Sequence, residues 1–300
     1  MKEENKEKAR EIPNRVSRKK VSRLLVIFMI MLLFVLSPLS ELALSMGVMS
    51  VYSGMHERES ILAERGLELS IPGGLGKGWY PFVMLFNPES RAVSAFLRSK
   101  GMDKEEVRLS ILYNFPAFDL SWGKGCSRLF DKDSSYYNSF YGAYAVSARE
   151  PFGFCPDGSV NEAEIAALAE YDFHSLVLSD FGLQAAERVF EWRQINMEAN
   201  VSLPCSEGWQ RIDAELRVNG AAHTEQGFVQ SYLQYGVPKY KYGEAQKPFT
   251  PIEMKGRIYA KYFSEYDISL FFYIVTADKE LMESCDREII QRSTLSAARL

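Results

Sequence analysis

Residues 268–276 read ISLFFYIVT. Only Ser269 and Thr276 interrupt the run, and large apolar side chains occupy both alternating sets of positions. The run is apolar on both faces, which predicts a central strand of a sheet. Upstream, residues 211–218 (RIDAELRV) set Ile212, Ala214, Leu216 and Val218 against Arg211, Asp213, Glu215 and Arg217. That strict period of two predicts a half-exposed antiparallel strand. Ile195, Met197, Ala199 and Val201 alternate in the same way, and 227–236 and 256–263 supply two further strand-like runs. Together these segments predict an antiparallel C-terminal meander. A closing helix follows from Asp278, with Cys285 on its apolar face beside Leu281, Met282 and Ile289.

The first half of the body mixes periods. Trp79 to Phe86 reads as a buried strand, and Asn87-Pro88 as a helix start, with the helix running to Lys100 and stopping at Gly101. Val107 to Phe115 alternates as a second strand. The β-α-β order predicts a parallel pair with a right-handed crossover. Residues 139–147 predict another strand, SVNE (159–162) a capping box opening a helix to Tyr171, FHSLVLS (173–179) a short strand, and 183–192 a helical stretch. The fold class is therefore α+β: an N-terminal transmembrane or signal helix, a mixed sheet with a β-α-β start, the antiparallel meander and the closing helix.

The N-terminus differs from the rest. Residues 18–45 read RKKVSRLLVIFMIMLLFVLSPLSELALS, a cationic cluster followed by unbroken apolar sequence from Leu24 to Leu36. Cations resist translocation and stay inside, so the pattern predicts a cytoplasmic tail and an extracytoplasmic body. Two readings of the apolar run stay open: a signal peptide cut near Ser45, or an uncleaved anchor kinked at Pro38 that continues as a helical stalk to Arg65, with Gly66 as its stop. The expected organisation is a basic tail over 1–23, a signal-anchor helix over 24–52, a stalk and linker over 53–78, and an α+β domain over 79–300. It implies a single-pass protein of the plasma membrane.

Composition limits the partners. The 300-residue chain is 47% hydrophobic and 25% charged, which suits a packed core. Its net charge is −4, and residues 1–23 alone carry nine Lys or Arg against four Glu, which leaves the body at −9. An acidic body with no basic stripe excludes nucleic acid as partner. The expected partners are the membrane, through the N-terminal helix, and an envelope polymer or protein.

Candidate sites are few. The stretch LPCSEGWQR (203–211) resembles the active-site arrangement of sortases, anchored transpeptidases in which a cysteine thiolate attacks, a histidine lies upstream and an arginine steadies the oxyanion. The resemblance implies Cys205, His174 and Arg211 in those roles, with Pro204 where that family has threonine. Tyr136, Tyr137 and Tyr141 lie in a tyrosine-dense stretch beside polar groups and are candidates for binding a saccharide or peptide. Residues 153–164 match the back half of a calcium loop but lack its first carboxylates, so neither a metal nor another cofactor is expected. Cys126, Cys155, Cys205 and Cys285 permit two disulfides in an oxidising compartment. The leading reading is a non-catalytic extracytoplasmic binding domain; the alternative is a surface cysteine transpeptidase or hydrolase.

Overall fold

The computed structural model describes residues 18–35, 47, 50–75, 84–114, 116, 133–178, 185–220 and 250–298. The predicted strand over 227–236, the start of that over 79–86, the Ser45 cleavage position and Cys126 lie outside the described residues. The fold is α+β, built on one large antiparallel sheet.

Helix α1 spans Arg18–Val35, followed by a helical segment over 50–57 and helix α2 at Ile61–Glu64. The body then runs through β1 (Leu67–Ser70), β2 (Met84–Phe86), α3 (Ser90–Ser99), β3 (Arg108–Asn114) and β4 (Phe140–Ser147). Helix α4 (Glu162–Glu170) continues as a π-helix over Tyr171–Leu178. Next come β5 (Phe190–Leu203), β6 (Ser206–Asn219), β7 (Pro251–Phe263), β8 (Ile268–Thr276), α5 (Lys279–Glu288) and β9 (Thr294–Ala297).

Seven strands form one sheet in the order β2-β3-β4-β8-β7-β6-β5, and β1 and β9 pair separately. The ISLFFYIVT strand, β8, is fourth of the seven. Alternation splits its side chains between two cores. Phe271 and Tyr273 join Tyr144, Ile258 and Leu216 under α3 and α4, while Leu270, Phe272 and Ile274 join Tyr141, Trp209 and Tyr259 under α2 and α5. Each such side chain contributes on the order of 2–3 kcal/mol by leaving water. Residues of the expected stalk, Ile61, Leu62, Leu67 and Ile71, are buried in the second core.

Every neighbouring pair in the large sheet is antiparallel, β2 and β3 included, so the parallel β-α-β start is corrected. The reason is the return path. Helix α3 advances about 15 Å, but Gly101 (φ 80°) then reverses the chain. Val107 comes back beside the first turn of α3: its N–H donates to Ser94 Oγ at 3.2 Å and its carbonyl accepts from Ser90 Oγ at 2.9 Å. Helix and return segment cancel, and the strands meet head to tail.

Two further expectations change. Over 173–178 the predicted strand is the π-helical continuation of α4, because no Gly or Pro lies between Glu162 and Asp180 to stop the helix, and residue 179 lies outside the described residues. Over 183–192, the described residues hold only a short 3₁₀ turn at Ala185–Glu187 before β5 begins. The cap of α4 also shifts, from Ser159 to Asn161, whose side chain accepts from Glu164 N–H and donates to Glu164 Oε1 at 2.9 Å. One glycine is required by contact: a Cβ at Gly142 in β4 would stand 1.8 Å from the Leu112 carbonyl oxygen of β3.

Candidate functional site

The three residues aligned with the sortase pattern lie apart. Cys205 sits in the two-residue turn that closes the β5–β6 hairpin, where Leu203 pairs with Ser206. Its thiol is half-buried against the second core, and burial raises its pKa, the opposite of what a thiolate nucleophile needs. Arg211 lies six residues along β6, about 20 Å of extended strand, and is engaged by Glu198 at 3.0 Å and Asp213 at 3.3 Å. His174 belongs to the other end of the hairpin. Its Nε2 lies 3.1 Å from the Val189 carbonyl, next to Phe190, which pairs with Val218. From Phe190 to Leu203 is about 40 Å of strand. The geometry therefore forms no thiol–imidazole pair from Cys205 and His174. Cys155, Cys205 and Cys285 are free thiols, and burial pushes that of Cys285 up to about 12.

The tyrosines also separate. Tyr141 is 0% exposed in the second core and its hydroxyl donates to the Pro72 carbonyl, so it is not a binding surface. Sequence density misleads here because 140–147 is a central strand, with Tyr141 and Tyr144 entering opposite cores. Tyr136 and Tyr137 remain half-buried at the strand's entrance, and burial raises the phenol of Tyr137.

The calcium-like loop is satisfied by protein groups. Asp157 accepts from Ser159 N–H and hydroxyl, and Glu164 accepts from Gly153 N–H at 2.7 Å and stands 3.2 Å from Lys104 Nζ. Among the described residues no group of His, Cys, Asp and Glu is arranged to hold a metal.

Two places in the domain gather chemistry. The first is an open cleft of about 610 Å³ between loop 150–158 and the adjoining ends of β6 and β7. Phe154 and Tyr262 form an aromatic wall, with ring centroids 6.5 Å apart, and Gln210, Lys261 and Glu150 supply polar groups. The walls are braced across the gap, since Gln210 Nε2 donates to the Gly158 carbonyl at 2.8 Å. Lys261 Nζ donates to the Glu207 carbonyl at 2.6 Å, which leaves further ammonium protons for another acceptor. These residues come from three distant segments, and nothing local in the sequence joins them.

The second place is inside the first core. Asp172 is 5% exposed and accepts a 2.7 Å hydrogen bond from the Tyr144 hydroxyl, whose ring stacks on Tyr273 at 4.4 Å. Among the described residues no cation pairs with it. Burial pushes its carboxyl up to about 7, against the smaller opposing effect of the Tyr144 bond. Two residues on, His174 is 1% exposed, with Nδ1 3.8 Å from Glu170 Oε1, an electrostatic contact beyond hydrogen-bond reach. Burial works to raise the Glu170 carboxyl too, but His174 and Lys100 (Nζ at 2.6 Å) more than offset it, and its pKa falls.

No family model matches the chain, and neither a curated protein nor a solved structure matches it. Fold and sites therefore rest on their own geometry.

Proposed function

We propose that this protein is a membrane-anchored binding domain, held on the outer face of the plasma membrane by its N-terminal helix and non-catalytic. One observation carries the reading. Eleven consecutive apolar residues of α1, Leu24 to Phe34, are each 41–63% exposed and join neither core, directly behind Arg18, Lys19, Lys20 and Arg23. A helix apolar on every side is unfavourable in water and favourable in hydrocarbon. Among the described residues no helix is long and apolar enough to cross a membrane. The apolar part of α1 covers about 18 Å of a core about 30 Å thick, so the reading needs the apolar sequence after Val35 to complete the span. Beyond it, the 50–57 segment is tied to the domain: Ser53 Oγ accepts from Leu85 N–H at 3.1 Å, and the His56 carbonyl accepts from Asn87 Nδ2 at 2.9 Å. Such a tether holds the body close to the bilayer.

The ligand site in this reading is the cleft of Phe154, Gln210, Lys261 and Tyr262. Aromatic faces beside a few convergent polar groups suit a saccharide, whose apolar ring faces stack and whose hydroxyls bond. The test is alkaline carbonate extraction of membranes carrying the full chain, or a chain lacking residues 1–52. The full chain stays with the membrane and the shortened one is released; release of both overturns the anchor. Protease added to intact cells digests the body if it lies outside. Sedimentation with insoluble envelope polysaccharide that is unaffected by Tyr262→Ala would reject the cleft.

A further inference from the structure

Asp172 is a buried carboxyl with no cationic partner among the described residues, and its surroundings are specific. From β4, Tyr144 donates to it; from β8, Tyr273 stacks on Tyr144. From β5, the near polar group is Trp192, whose indole N–H is committed to Glu162 at 2.8 Å. β6 and β7 face it with Leu216, Val218, Gly256 and Ile258. On its own helical run are Glu170, Tyr171 and His174, and from α3 Lys100 reaches only as far as Glu170. The phenol of Tyr171 is itself pushed up to about 12, by burial first and then by the charges of Asp172 and Glu89. A cavity of about 20 Å³, roughly one water's worth, lies against Asp172. The helix turns π-wound at Tyr171, one residue before it, and such distortions gather where a helix is strained or functional. Acid, cavity and distorted helix thus coincide between α4 and the centre of the sheet.

We propose that Asp172 is the catch of a proton-operated latch: with its carboxyl neutral the helical run 162–178 seats on the sheet, and ionisation loosens that run. The sign follows from the two states. Exposed, an aspartate ionises near 3.8, and folded here it holds its proton to about 7. The stabilising effect is complete below about 3.8, decays as pH rises, and is gone above about 7. One proton is involved, so the opening equilibrium changes about tenfold per pH unit within that window.

Hydrogen exchange of the full chain in detergent, corrected for intrinsic rates, reads the effect directly. Opening of 162–178 rises about tenfold per pH unit between 5 and 7 and then levels, while β8 amides change less. In Asp172→Asn the opening is independent of pH. His174 is unchanged in that variant, so a slope that persists there assigns the effect to another group and overturns the proposal. Should the variant not fold, the side-chain carboxyl resonance of Asp172 in the wild-type chain decides. A midpoint near 7 at which the opening of 162–178 also levels off supports the latch; a midpoint near 4, or opening that does not follow the midpoint, overturns it.

Discussion

The two faces of the large sheet hold charge in opposite ways. Under α5, Arg257 is surrounded by carboxylates: Asp213 at 2.6 Å, Asp286 at 2.7 Å and Glu283 at 3.0 Å, with Tyr259 donating to Asp286 at 2.8 Å. Burial alone would weaken the guanidinium's hold on its proton, but Glu283, Asp213 and Asp286 reverse that and strengthen it. Under α4, Asp172 has one phenol and no cation among the described residues. The first arrangement keeps its charges by pairing them at the rim of the core; the second favours surrender of the charge in the interior. One sheet can therefore keep charge by pairing it on one face and give it up to burial on the other.

Five substitutions test the contrast between the two faces. Gly142→Ala destroys the platform common to both faces, since the new Cβ meets the Leu112 carbonyl at 1.8 Å. It lowers stability by about 3 kcal/mol or more, or abolishes folding, as read by denaturant unfolding. Arg257→Met comes next at about 3 kcal/mol, because three carboxylates then face one another. The Glu283 carboxyl is held below its usual range, chiefly by its bond to Arg257. Its contribution is present above about 4.5 and lost as pH falls through the lowered value, so the variant loses more at pH 7 than at pH 3.

Tyr144→Phe costs about 1–2 kcal/mol. Because the phenol bond holds the Asp172 carboxyl down, its removal moves the Asp172 titration to higher pH, which the carboxyl resonance reports. Asn161→Ala removes the cap of α4 at about 1 kcal/mol and speeds exchange in its first turn, leaving α5 unchanged. Cys205→Ser changes stability by less than about 1 kcal/mol. If the cleft is the binding site proposed above, binding there is unchanged, since the thiol lies in a hairpin turn with no imidazole partner among the described residues.

Much of the sheet could be read from the chain. ISLFFYIVT needed no tertiary knowledge to be central, because apolar residues at both parities must be covered on both sides. The apolar face of α5 was equally plain, and Cys285 is buried with Leu281, Met282 and Ile289. Structure and sequence pattern diverge where the local pattern is ambiguous. FHSLVLS is rich enough in β-formers to suggest a strand, yet a helix already running has no reason to stop there. The β-α-β start misled because pattern records which elements exist, not whether the connection after a helix doubles back.

The candidate sites were less legible still. Cys205 and Arg211 looked adjacent because six residues is a short interval in sequence, while in an extended strand it is about 20 Å. The cleft joins residues 154, 210 and 262, and Asp172 became notable only through Tyr144 and a core that no single segment contains. Composition along the chain gives which runs are apolar, with what period and behind which charges, and with them the α+β class and the central strand. Which side chains meet depends on the packed fold. Hydrophobic periodicity is a property of neighbours along the chain, whereas hydrogen bonds, ion pairs and burial depend on segments well apart in sequence, 28 residues for Tyr144 and Asp172 and 108 for Phe154 and Tyr262.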